Sequence, residues 1–178
     1  MTKGLQRSLS RAPHGRLAGA DQKVPRRLEI QLNTTVTVSA TGVAIGWGTV
    51  VIGDIPEGNI LILGAVGNII FAGSGSDANL VDTWEGNYGI GSTPADDATI
   101  TGADVDMVPD TDIPAATAEV APAARGALAA PVTLDNTDGS LEINLNVLID
   151  AADITDDQSV ILTVTGTVDL SYQVLGDD

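Results

Sequence analysis

Two-residue alternation of apolar and polar side chains runs through three long stretches of this chain, strict in the first, and it leaves little room for anything but β-structure. In the first, Leu28, Ile30, Leu32, Thr34, Val36 and Val38 alternate with Glu29, Gln31, Asn33, Thr35, Thr37 and Ser39. In the second, Leu141, Ile143, Leu145, Val147 and Ile149 alternate with Glu142, Asn144, Asn146 and Leu148. In the third, Val160, Leu162, Val164, Val168, Leu170, Tyr172 and Val174 alternate with Ile161, Thr163, Thr165, Thr167, Asp169, Ser171 and Gln173, with Gly166 in register. Successive side chains of a strand point to opposite faces, so a period of two predicts strands with one face in a core and one outside. Gly166 predicts a bend or bulge.

Weaker strand signals cover Val43–Ile52, crossed by Gly46 and Gly48, then Asn59–Phe71, Leu80–Ile90 and Ala98–Val108. Turn residues separate them at Asp54–Asn59, Gly73–Asp77 and Ser92–Asp97. Asn59–Phe71 is apolar in both phases, which predicts a strand covered on one side by a second sheet and on the other by a neighbouring subunit. Pro109–Pro131 is rich in alanine, proline and threonine and has no alternation. Its prolines oppose a long helix, so it reads as an exposed excursion with one helical turn near Ala116–Val120. No helical period lies between the strands and no repeat is visible. At 178 residues the chain is long enough for one core that buries about 70% of the unfolded surface. The expectation is an all-β fold, a single β-sandwich, jelly-roll-like, of about eight strands.

Charge divides the chain differently. The net charge is −16, yet Lys3, Arg7, Arg11, Arg16, Lys23, Arg26 and Arg27 all lie in the first 27 residues with one acid, Asp21. Residues 28–178 hold one cation, Arg125, and every other acid. This predicts a basic N-terminal arm, residues 1–27, on an acidic β-body, residues 28–178. Pro13, Pro25, Gly4, Gly15 and Gly19 keep the arm extended in expectation, although Lys3, Arg7 and Arg11 would share a helical face opposite Leu5 and Leu9. The seven cations are the candidate partner-binding residues. Such an arm neutralises phosphates or lies on an acidic protein surface, including a neighbour's body. It has no aromatic on which a base would stack, and its cations are spread rather than dense. Protein contact is the expectation and nucleic acid is not, because exchanged arms are a common lock in symmetric assemblies.

Catalytic constellations are thin. The single histidine, His14, stands in the arm, and there is no cysteine. Ser-His-Asp and Cys-His sites and multi-histidine or thiolate metal sites therefore have nothing to build on. Gly73-Ser74-Gly75-Ser76 reads as a turn, not a phosphate cradle. Two acidic clusters remain: Asp104, Asp106, Asp110 and Asp112, and Asp150, Asp153, Asp156 and Asp157. Alternating aspartates can ligate calcium, but the first lacks the glycine and terminal glutamate of an EF-hand loop. The alternative is solvated loops. A paired-carboxylate glycosidase would want aromatic platforms, and Trp47 and Trp84 are the only tryptophans. The chain is expected not to be an enzyme and to need no cofactor. Its positive start has no apolar run behind it, so no secretory signal is expected. The longest apolar run, Ile60–Phe71, falls short of the roughly 20 residues of a membrane helix.

The stretch Ile90-Gly91-Ser92-Thr93-Pro94 through Asp104-Val105-Asp106-Met107-Val108-Pro109, with Leu141–Asp150 leading to Val164-Thr165-Gly166-Thr167-Val168, resembles virion structural proteins of tailed bacteriophages. Within that group the pattern is most similar to head decoration, or cement, proteins. The resemblance covers the last half of the chain and is one of pattern, without a diagnostic motif. It implies a small β-rich protein that oligomerises, as a trimer in many cases, on the outer capsid surface against the major capsid protein. It carries over no catalytic residue and does not account for the arm. Two other readings stay open: a jelly-roll coat protein whose arm faces nucleic acid, and a calcium-dependent extracellular adhesion or carbohydrate-binding module.

Overall fold

A computed structural model describes residues 24–40, 42–73, 80–154 and 159–176. Nine strands follow one another: β1 (Arg26–Ser39), β2 (Ile45–Asp54), β3 (Gly58–Gly73), β4 (Gly86–Gly91), β5 (Val108–Ile113), β6 (Ala124–Ala127), β7 (Val132–Asn136), β8 (Glu142–Asp150) and β9 (Ser159–Gly176). Short 3-10 turns lie at Gly102–Asp104 and Ala151–Asp153. Their spatial order is β5-β4-β8-β2-β1-β9-β3-β6, with β7 also on β3. The pairings are antiparallel.

The link between β1 and β2 rests on a single register pair, Ser39 with Trp47. There the sheet turns a corner into two layers. One holds β5-β4-β8-β2, and the other holds β1-β9-β3 with β6 and β7 successive along the outer edge of β3. β5 and β6 meet again at the far side, so the structure is nearly closed. This is the jelly-roll arrangement of two facing antiparallel sheets.

The alternation read in the sequence is the core. Leu32, Val36 and Val38 from β1, Ile143, Leu145, Val147 and Ile149 from β8, and Val160, Leu162, Val164, Val168 and Leu170 from β9 are buried between the sheets. Phe71, Trp84 and Tyr88 are its largest fully buried side chains. The corner needs Gly48, since a Cβ there would sit 2.1 Å from the Thr37 carbonyl oxygen. Gly166 takes φ 134°, and a Cβ would meet the Asn68 carbonyl at 2.2 Å. The β1 register runs through Gly166 unbroken, so this glycine makes room for a close neighbour backbone instead of forming a bulge.

Three local expectations are corrected. The strand expected over Leu80–Ile90 shortens to Gly86–Gly91, and Leu80 keeps only a bridge to Ile154. The strand expected over Ala98–Val108 is absent except for Val108, which opens β5; the rest forms a loop with the Gly102–Asp104 turn, drawn onto the outer face of β8. The expected exposed excursion over 109–131 carries β6 and most of β5, and it buries Ile113, Ala116, Ala121 and Ala124. Its expected helical turn is a tight reversal. Ala118 and Glu119 take φ of 50° and 66°, and Thr117 and Val120 exchange backbone hydrogen bonds at 2.9 and 3.2 Å, as in a hairpin turn of the I′ kind. Asn59–Phe71 is apolar in both phases because the register shifts between Ile62 and Gly64. Ile60, Ile62, Ala65, Ile69 and Phe71 point in, while Leu63 and Ile70 are exposed.

Candidate assembly surfaces

The two sheets present very different outer faces. On β8 the outward positions are Asn144, Asn146 and Leu148, and all three are buried. The loop between β4 and β5 covers them. Ala95 and Ile100 pack on Leu148, with Trp47 and Val105 beside them. Asn146 pins that loop. Its Nδ2 donates to the Thr93 carbonyl at 3.0 Å and to the Asp104 carbonyl at 2.8 Å, and its Oδ1 accepts from the Ala95 N–H at 2.8 Å. One side chain thus satisfies three backbone groups that burial would otherwise leave unpaired. Asn136 does the same at the other end of the sandwich, donating to Ile55 and Pro56 and accepting from Leu141.

The outer face of β1, β9 and β3 carries no such cover among the described residues. Thr35, Thr37 and Asn33 on β1 lie opposite Thr163, Ile161 and Thr165 on β9. Thr165 in turn faces Ile70 on β3, and Thr167 faces Asn68. Ile70 and Ile161 are 39% and 42% exposed. The centre of this face holds no charged residue, in a body whose net charge is strongly negative.

The first acidic cluster is built into the covering loop and β5. Asp106 accepts from the N–H and hydroxyl of Ser92 at 3.0 and 2.6 Å. Burial raises its pKa above the ordinary carboxylate value, against the lowering effect of those bonds. Asp104 accepts from the Thr93 hydroxyl at 2.7 Å and from the Thr101 N–H at 3.2 Å. Asp112 accepts from Asn87, and Asp110 is exposed. In the second cluster Asp150 accepts from Ala152 and Asp153 from Glu85, while Asp156 and Asp157 lie outside the described residues. Among the described residues, no group of three or more His, Cys, Asp or Glu is placed to hold a metal. Elsewhere, Asp97 and Asp138 are held below the usual carboxylate range by Thr99 and Ser140.

Of the seven candidate cations, Lys3, Arg7, Arg11, Arg16 and Lys23 lie outside the described residues, as does His14. Arg26 and Arg27 open β1 and are exposed. Arg27 solves a local problem of the body. Glu29 and Asp169 are direct cross-strand partners, a like-charge pair that destabilises a sheet. The Arg27 guanidinium lies between them, with Nη2 3.2 Å from Glu29 and a hydrogen bond from Nε to Asp169 at 2.9 Å. Those contacts raise its pKa, the Asp169 hydrogen bond most.

Tyr88 ties the layers together. From β4 its hydroxyl donates to the Gly67 carbonyl on β3 at 3.3 Å and accepts from the Gly126 N–H on β6 at 2.7 Å. Burial raises its pKa. Sequence reasoning passed over Asn136, Asn146 and Tyr88. Asparagine at mid-strand positions, where it is depleted, was the available signal for Asn146.

No protein-family model matches the chain, and no curated protein matches it. Solved structures similar over most of it include the Cyanophage Pam1 capsid asymmetric unit, at 15% identity and TM-score 0.39, with 84% of this chain and 86% of that one covered. The infectious bursal disease virus VP2 subviral particle is similar at 11% identity and TM-score 0.40, over 83% of this chain and 32% of that one. A lectin from Bauhinia forficata in complex with GalNAc is similar at 6% identity and TM-score 0.29, over 86% of this chain and 100% of that one. A likeness of this degree carries no argument about role, partner or ligand. What the strand order itself defines is an all-β protein of jelly-roll class.

Proposed function

We propose that this chain is a structural protein of a viral capsid. In this reading it decorates and stabilises the shell, oligomerises as a trimer on the outer surface against the major capsid protein, and uses its basic arm, residues 1–27, to clamp neighbouring subunits. The observation that carries the reading is the contrast between the two outer faces. The chain covers one with its own loop. It leaves the centre of the other, between the Arg27, Glu29 and Asp169 cluster at one end and Arg125 of β6 at the edge, as a threonine and aliphatic surface without charge on an otherwise acidic body, which is the composition of an interface core rather than of a solvated face.

The rival chemistries find little to work with. An enzyme needs convergent acids, bases or nucleophiles held rigidly, and the carboxylates of the two acidic clusters, where described, accept hydrogen bonds from nearby backbone and side-chain donors or stand exposed. A carbohydrate-binding module needs an exposed aromatic platform. Here Phe71, Trp84 and Tyr88 are fully buried, Trp47 is half-buried beside the covering loop, and Tyr172 packs against the core. One feature favours a shell-forming coat protein instead: seven cations on an arm are also what packaged nucleic acid would recruit.

The test is a pair of opposite charges placed at the centre of the bare face. Thr165 and Ile70 are direct cross-strand partners. The double substitution Thr165→Lys/Ile70→Glu, which sets opposite charges in one cross-strand pair, is expected to drop the oligomer to monomer by light scattering. Fold stability should change little, as for surface positions in general. An oligomer unchanged by the pair would refute this use of the face.

A further inference from the structure

The end of the sandwich formed by β2, β8, β4 and β5 contains a groove of about 610 Å³. Its lining combines the apolar residues Ile45, Ile113, Leu148 and Ile149 with the carboxylates of Glu85, Asp112 and Asp150. No cation lines it. Ile45 is 37% exposed although it is a large aliphatic residue, and all three carboxylate residues are exposed. These residues are brought level by register: Ile45 pairs with Asp150, and Gly86 pairs with both Ile149 and Ile113.

We propose that this groove receives the basic arm of a second copy of the chain. The inference rests on the capsid-structural reading above and deepens it by naming the seat of the arm. Two observations single out the occupant. The first is complementarity. Lys3, Leu5, Arg7, Leu9 and Arg11 interleave cations with leucines, which matches a lining of carboxylates and aliphatic side chains. Among the described residues the only cations are Arg26, Arg27 and Arg125, and Arg27 is already held by Glu29 and Asp169.

The second observation is position. β1 has 14 residues and spans roughly 45 Å at about 3.3 Å per residue. Its Arg26 end is where the arm joins the body. Its Ser39 end is beside β2, at the end that holds the groove. The point where the arm joins and the groove therefore lie at opposite ends of one protomer. That is the head-to-tail geometry by which identical copies link into rings or extended arrays. Laid in its own groove, an arm would have to run back along the whole body. In a neighbour's groove it crosses a subunit boundary, and each added arm contributes avidity without enlarging the body.

The experiment uses two full-length variants, one with the arm reversed (Lys3→Glu/Arg7→Glu/Arg11→Glu) and one with the groove reversed (Glu85→Lys/Asp112→Lys). Both are examined by sedimentation velocity alone and as an equimolar mixture. The expected result is at least tenfold weaker association for each variant alone. The mixture should regain association between unlike copies, because the acidic arm meets the basic groove and the native arm meets the native groove, while a closed ring of three keeps one mismatched junction. Melting by circular dichroism checks folding, and Glu85→Lys alone replaces the double groove reversal if that variant melts early. Two variants that fall apart alone and do not regain association when mixed overturn the second-copy assignment, since an arm in its own groove gains nothing from mixing. If either variant assembles like the wild type, the groove assignment is overturned while the capsid reading stands. A wild-type chain that is monomeric throughout overturns both.

Discussion

Replacing Asn146 with alanine should cost far more than its size suggests. The side chain is fully buried and makes three hydrogen bonds of 2.8 to 3.0 Å to the backbone of the covering loop. A net contribution of about 1 kcal/mol for each bond gives about 3 kcal/mol. Stranding the Ala95 N–H and two carbonyls without partners would raise the loss further. Loop opening sets a limit, because the freed backbone then finds water at the expense of burying Ala95 and Ile100. The prediction is therefore a loss of about 3 kcal/mol, or roughly 6–12 °C in Tm for a chain of this size. Asn144, two residues away on the same face, is an internal control. Its side-chain hydrogen bond among the described residues is a 3.4 Å contact to the Glu142 carbonyl, so Asn144→Ala should cost about 1 kcal/mol or less. Urea titration followed by tryptophan fluorescence measures both, with Trp47 beside the loop and Trp84 in the main core. Equal losses for the two variants, or a loss under about 1 kcal/mol for Asn146→Ala, would refute the pinning role.

Tyr88→Phe removes the acceptor of the buried Gly126 N–H and should cost about 1–3 kcal/mol in denaturant unfolding; a neutral result would show that the hydroxyl does not join the layers. Ala118→Asn/Glu119→Gly suits the left-handed turn and keeps the backbone bonds, so it should raise stability by about 1 kcal/mol, read as a shift in the urea midpoint. Asp106 has a raised folded pKa. Its contribution to stability is therefore fully present below the ordinary value of 3.8 and is lost as pH rises through the raised one. Asp106→Asn should flatten the stability profile across that window and leave the neutral-pH stability equal or higher, and a steeper profile in the variant would contradict the assignment.

The long strands were legible because their physics is local. β1, β8 and β9 alternate over their lengths, and a slip of one residue would expose every core side chain. β5 was hidden by Pro109, which a central strand would reject but an edge strand tolerates. β6 was hidden by its composition, Ala-Arg-Gly-Ala. Small residues are needed there because Gly126 faces the Tyr88 hydroxyl, Thr111 and Val108, where a Cβ would come as close as 2.4 Å. Ala98–Val108 carried a strand-like mix of residues, yet Asn146 captures its backbone from across the fold, and no local pattern announces that. The charge segregation was plain, but a sequence has no register. That Arg27 sits between Glu29 and Asp169 follows only from β1 pairing with β9. That Glu85, Asp112 and Asp150 share one groove follows from four strands ending at one level.

The most direct test of the structural role is native mass spectrometry of the purified full-length chain, with absorbance recorded for bound nucleic acid. The account predicts a discrete small oligomer, a trimer, free of nucleic acid. Large closed shells carrying nucleic acid would contradict it in favour of a coat protein, and a monomer at every concentration would contradict assembly through the bare face altogether.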